Sequence, residues 1–202
     1  MGKYINSVLI TNDDGYNAKG IKVLKKISLG LFDKVWVLAP KSNQSGKSHS
    51  ITINKKLNIK KLQNREYGLS GTPVYCSIIG LNKVMQYQEK PIIFLSGINI
   101  GVNLGLDLLY SGTVAAAREA SIYGIKAIAL SVDKYNNKVN WSAVNYFAPK
   151  IIKFLYKKKI SANYFFNVNF PSLPSESIKG CKVVSLGKRK PGSSIITNII
   201  NG

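Results

Sequence analysis

Two aspartates stand side by side at positions 13 and 14, in Val8-Leu9-Ile10-Thr11-Asn12-Asp13-Asp14-Gly15. Only nine acidic residues serve the 202 positions, so an adjacent pair is a concentrated use of them. Neighbouring like charges repel, and a bound cation is the simplest compensation. Carboxylates are hard oxygen ligands, suited to Mg²⁺ or Mn²⁺. Later polar segments carry groups that would complete such a site. Residues 41–50 hold Ser42, Asn43, Ser45, Ser48 and the sole histidine, His49. Residues 96–105 read Ser-Gly-Ile-Asn-Ile-Gly-Val-Asn-Leu-Gly, with amide oxygens at Asn99 and Asn103. Asp107 follows, and then Ser111-Gly112-Thr113, which puts two hydroxyls and backbone N–H groups at a helix start, a ready anion seat. A cation beside an anion seat points to phosphoryl chemistry.

Plainer readings fit the same residues. Asp13-Asp14 suits a turn followed by a helix cap, and the Gly/Asn-rich segment suits a loop whose residues tolerate left-handed backbone. Ser111 and Thr113 suit helix caps, a role compatible with anion binding. A lone loop histidine such as His49 is assigned no catalysis. Asp107 fits a supporting carboxylate.

The elements that must position these residues alternate. Continuous apolar runs at Val8–Thr11, Val35–Ala39, Ile92–Leu95 and Ala127–Ser131 read as buried strands, and 165–169 as another. Helical spacing predicts helices over 19–29, with Ile21, Leu24 and Ile27 on one face, over 73–85 and over 113–123. Thr72 is placed to cap the second of these, with Pro73 at its first position. Ser142 is placed to cap a helix to Lys158, which Pro149 should kink or split. Ile51–Ile53 and Leu57–Ile59 predict a hairpin around 54–56, 96–112 a long loop, and 182–186 one more strand. Strands alternating with helices predict an α/β fold: a Rossmann-like, mostly parallel sheet with helices on both faces, a β-hairpin and a short C-terminal extension. In such a sheet ligands bind beyond the carboxyl ends of the strands, where the polar segments fall.

Composition narrows the class. A chain of 22.2 kDa, 45% hydrophobic, can bury a sizeable core. No apolar run approaches the roughly 18 residues of a membrane span, and no secretory-type leader opens the chain, so a cytoplasmic protein is expected. Cys76 and Cys181 have no metal-ligand spacing and fit free thiols in a reducing compartment. The net charge of +20 raises nucleic acid as a partner, but arginine occurs only at 65, 118 and 189. Bidentate base reading favours arginine, so no dedicated nucleic-acid role is assigned, and the lysines fit attraction of small anions.

The motifs together resemble those of the SurE family, metal-dependent 5′(3′)-nucleotidases. The resemblance rests on Thr11-Asn12-Asp13-Asp14-Gly15 with Lys19-Gly20-Ile21, and on Ala39-Pro40 with Ser45-Gly46 and Ser50-Ile51-Thr52. It continues through Gly71-Thr72-Pro73, Ser96-Gly97-Ile98-Asn99 onward to Ser111-Gly112-Thr113-Val114, and Asn167-Val168-Asn169-Phe170-Pro171. It implies that Asp13, Asp14, Ser45 and Asn99 bind one divalent metal per subunit. It implies catalytic roles for Asp13 and Asp14, and Asn12, Asn103, Ser111, Gly112 and Thr113 beside the substrate phosphate. It implies hydrolysis of nucleoside monophosphates by a homodimer or homotetramer. Residues 1–186 would form the α/β phosphatase domain, and 187–202 the remnant of an extension that in family members runs on for tens of residues. Attack by water and attack by Asp13 both fit the residues. A broader phosphomonoesterase or exopolyphosphatase, and a non-catalytic nucleotide-binding member, are the alternatives.

Overall fold

In a computed structural model, which describes residues 6–51, 53, 56–85, 89–159, 161 and 164–188, seven strands form one sheet. The strands are β1 (Ser7–Thr11), β2 (Lys34–Pro40), β3 (Ile59–Gln63), β4 (Glu66–Leu69), β5 (Ile93–Ile100), β6 (Ala127–Val132) and β7 (Phe166–Phe170). Their spatial order is β3-β4-β2-β1-β5-β6-β7, and every pair is parallel except β3 with β4. The chain leaves β1 toward β2 on one side and later returns to build β5, β6 and β7 on the other. The order therefore reverses at β1 and β5, which opens a crevice beyond their carboxyl ends.

Helices α1 (Lys19–Leu29), α2 (Pro73–Ile79), α3 (Gly112–Ile122) and α4 (Ser142–Lys157) cover the two faces. Strand periodicity sorts β1 between them: Val8 and Ile10 join Ile21, Leu24, Val144 and Ile152 from α1 and α4, whereas Leu9 joins Cys76, Val114 and Ala117 from α2 and α3. All five β1 residues are buried, so the strand reads as one apolar run.

Several expectations change. The hairpin lies later than predicted: β3 pairs antiparallel with β4 across Asn64-Arg65, while 52, 54 and 55 lie outside the described residues. Arg65 takes the left-handed backbone (φ 59°) that Gly or Asn more commonly marks, so the turn carried no Gly signal. β5 runs to Ile100, five residues past the predicted end. Ser96, Gly97 and Ile98 are buried between β1 and β6, with a register shift between Ser96 and Asn99 where Gly97 holds φ 136°. The helix from Pro73 continues through a π-helical turn over Gly80–Val84. Pro149 does not split α4. It removes the bond to the Asn145 carbonyl, but Asn145 is exposed and water can take that carbonyl, while Ala148 and Ile152 keep the inner face packed. The α4 cap position is Trp141 rather than Ser142, whose hydroxyl meets Ser175. Residues 182–186 form no strand; Val183 is 97% exposed and has no partner edge among the described residues.

Candidate active site

The acid pair sits at the reversal crevice because the chain turns sharply after β1. Asn12 is fully buried and its Nδ2 donates to the Gly15 carbonyl at 2.9 Å, closing the turn. Gly15 takes φ 100°, and a Cβ there would meet the Ser42 backbone at 3.3 Å, so glycine lets the two loops touch. Asp13 is 3% exposed. Its Oδ1 accepts the Thr113 hydroxyl, and the Gly112 and Thr113 amides also donate to it. Burial raises its pKa against those hydrogen bonds. Burial, and then the charge of Asp13, push the Asp14 pKa up to about 6, opposed by a hydrogen bond from the Ile100 amide. Asp14 Oδ2 and Asn12 Oδ1 are buried with no hydrogen-bond partner.

Residues next to two of the other candidates reach the pair through their backbone amides. The Gln44 amide donates to the Asp13 carbonyl at 2.7 Å, so Ser45 follows a residue bonded to the acid pair. Ser45 itself is exposed, and its amide is held by Asn43 Oδ1 at 2.7 Å. Asn99 precedes the residue whose amide reaches Asp14. Its Nδ2 donates to the Gly101 carbonyl at 2.7 Å, which leaves its oxygen end for a cation. Asn103 is buried, with Nδ2 bound to Ser131 Oγ at 2.7 Å.

At the α3 start both hydroxyls are engaged. Ser111 Oγ accepts from the Val114 amide at 3.1 Å as the helix cap, and Thr113 donates to Asp13. A Cβ on Gly112 would lie 2.9 Å from Asp13 Cβ and 3.1 Å from Pro73 Cγ, so only glycine lets the helix tip approach this closely. The helix N-terminus thus faces the carboxylates, and its positive end favours anions there.

Could these residues hold a cation? Among the described residues no cluster of three or more His, Cys, Asp or Glu exists. The donors are instead two carboxylates, an amide oxygen and a hydroxyl, all hard oxygen, with Asp14 Oδ2 and Asn12 Oδ1 lacking partners. That set fits Mg²⁺ or Mn²⁺ completed by water, rather than a soft metal.

The model of the survival protein SurE family matches residues 8–193. A "5′-nucleotidase SurE" of Paramagnetospirillum magneticum is 46% identical over 190 residues, which span 94% of this chain and 73% of that protein. A relative of the same name from Chelativorans is 41% identical across 93% of this chain and 75% of its own length. The crystal structure of the SurE protein from Aquifex aeolicus superposes with a TM-score of 0.84 at 38% identity, covering 91% of this chain and 73% of that one. The chain belongs to the SurE family.

Its family motifs differ in how they meet. In this SurE-family chain backbone bonds join the second and third polar segments to the acid pair, and the α3 start closes on Asp13. The sequence did not expose the residues that hold them. Thr72, read as a helix cap, does accept from the Tyr75 amide at 3.4 Å, but its hydroxyl also donates to the Ser50 carbonyl at 2.8 Å and tethers the second loop. His49 pairs with Glu119 on α3 at 2.7 Å rather than with the acid pair. Asn167 and Asn169 on β7 both donate to the Asn103 carbonyl. Their alternation in an otherwise apolar strand was the available signal, since i and i+2 share a face.

Proposed function

We propose that this SurE-family chain is a divalent-metal-dependent 5′-nucleotidase, hydrolysing nucleoside monophosphates to nucleoside and phosphate. One observation carries the reading: Asp13, buried, and Asp14, half-buried beside it at the β1/β5 crevice, have no lysine or arginine partner among the described residues of a chain with net charge +20. A cation seated by Asp13, Asp14, Ser45 and Asn99 would supply Lewis-acid polarisation of the phosphoryl group. Relatives of the same name at 41–46% identity support the substrate class.

The chain's own residues do the rest. Asn12 and Gly15 lock the turn that carries both carboxylates. Thr113 and the Gly112 amide hold Asp13 in one orientation, and Asn103 offers the phosphate an amide N–H. The positive end of α3 lies where charge develops on the phosphoryl oxygens. Asp13, buried and hydrogen-bonded, suits the proton-accepting role toward attacking water. A cytoplasmic homodimer or homotetramer belongs to the same reading, with 187–202 as the remnant of the family's oligomerisation extension. Two free cysteines fit the reducing compartment.

The test is phosphate release from a panel of 5′- and 3′-mononucleotides, other phosphomonoesters and short polyphosphates, with Mn²⁺ or Mg²⁺ and with EDTA. Metal-dependent release, fastest from 5′-mononucleotides, is expected. Fastest release from polyphosphate would replace the reading with an exopolyphosphatase, and no release from any substrate would leave a binding protein.

A further inference from the structure

Asn103 is held by an arrangement that its role as a phosphate contact does not by itself require. Its backbone N–H donates to Asn169 Oδ1 at 2.8 Å, while its carbonyl accepts from Asn169 Nδ2 at 3.1 Å. One side-chain amide therefore takes both main-chain bonds of one residue, as a neighbouring strand would. A carboxamide carries the same donor and acceptor as a peptide group, which is why Asn can do this and an ionised Asp or a Leu cannot. Asn167, two residues earlier on the same face of β7, donates to the same carbonyl at 2.9 Å. From β6, Ser131 Oγ takes one hydrogen of Asn103 Nδ2 at 2.7 Å. The Gly101 amide is bound to the Val132 carbonyl at 2.8 Å, so the loop is fixed at both ends of this short run.

Four of these bonds tie Asn103 to side chains of two strands, and they leave it little freedom. With one Nδ2 hydrogen spent on Ser131, the second is the one this side chain has left for an incoming anion. We propose that Asn169, seconded by Asn167, is a positioning residue that presets Asn103 against the substrate phosphate, acting from the sheet edge without touching the substrate. The inference rests on the nucleotidase reading for the identity of the anion, but the clamp itself is a statement about phosphate affinity. Preorganising a ligand group in this way moves its ordering cost from binding to folding.

The variants are Asn169→Asp, which keeps the acceptor and loses the donor, Asn169→Leu, which loses both at similar size, and Asn103→Ala. Each is measured in the full chain with Mn²⁺, by calorimetric titration with inorganic phosphate and by steady-state hydrolysis of a nucleoside monophosphate. Asn169→Asp is expected to weaken phosphate binding and to raise KM in parallel by about 10-fold, the lower end for groups that orient a ligand. Asn169→Leu should do at least as much. In the Asn103→Ala background either change should add less than about 2-fold, because a residue acting only through Asn103 has nothing left to position. Unchanged phosphate affinity in folded Asn169→Asp, or a full additional loss in the Asn103→Ala background, would overturn the proposal. Should Asn169→Leu fail to fold, Asn169→Asp and Asn167→Asp decide the matter alone. Wild type that binds phosphate without hydrolysing nucleotides would remove the nucleotidase reading and leave the clamp standing; wild type that binds no phosphate would sink both.

Discussion

Five acids of this protein live in two kinds of surroundings. Away from the crevice, Glu66 pairs with Lys25, Glu89 with Lys34, and Glu119 with His49. At the crevice, Asp13 and Asp14 receive only hydroxyl and amide hydrogens, although the chain has 29 lysines and arginines to offer. The paired acids are partly exposed, where a salt bridge contributes little and costs little. Asp13 is buried and Asp14 half-buried, and an unpaired charge becomes more expensive the further it is taken from water. A fold this rich in lysine could have neutralised them with a side chain. No lysine or arginine among the described residues does so, which fits the proposed metal site.

The largest effect that separates the two settings is on turnover. Asp14→Asn should lower metal-dependent phosphate release on the order of 1000-fold, beyond the 10–100-fold typical of groups that only support a ligand. In metal-free buffer the same variant should melt at or above the wild-type temperature, because a like-charge repulsion is gone. Wild-type turnover by this variant, with unchanged Mn²⁺ affinity, would break the contrast.

The next effect is in pH. Asp14 has a folded pKa near 6 against an ordinary 3.8, so between those values the folded state binds more protons than the unfolded one. Metal-free stability should therefore rise as pH falls through that window, and the gain should be lost as pH climbs past 6. Melting temperatures of wild type relative to Asp14→Asn, from pH 4 to 7.5, isolate this term. Divalent cations compete with the same proton, so their affinity should fall as pH drops through 6. A wild-type-minus-variant difference that is flat with pH would show that Asp14 is not held in the setting described.

The smallest effect belongs to the paired acids. Glu66→Gln should change stability by less than about 1 kcal/mol, measured by denaturant unfolding, and leave kcat/KM unaltered. A large loss of activity there would mean that β4 is coupled to the crevice.

Much of this contrast was legible before any coordinates. The acid pair after an apolar run, the Gly and Asn of 96–105 and the Ser-Gly-Thr helix start all fall where strand and helix periodicity put them. The bonds that bring them together were not legible. Gln44 reaches Asp13, and Ile100 reaches Asp14, through backbone amides, and every non-proline residue has one. The extension of β5 was hidden because Ser96, Gly97 and Asn99 carry loop chemistry, and only burial between β1 and β6 makes them strand. The β3–β4 turn was hidden because Arg65 adopts a backbone that its residue type does not advertise.

The sequence by itself determined the alternation of strands and helices, the hard-oxygen character of the candidate ligands and the family, because side-chain chemistry and periodicity are local properties. Only the tertiary structure decided that the strand order reverses between β1 and β5, that the helix tip at Gly112 closes on Asp13, and that Asn169 reaches Asn103. Those depend on which strands become neighbours, and the long-range burial that settles it is a property of the whole sheet rather than of any segment.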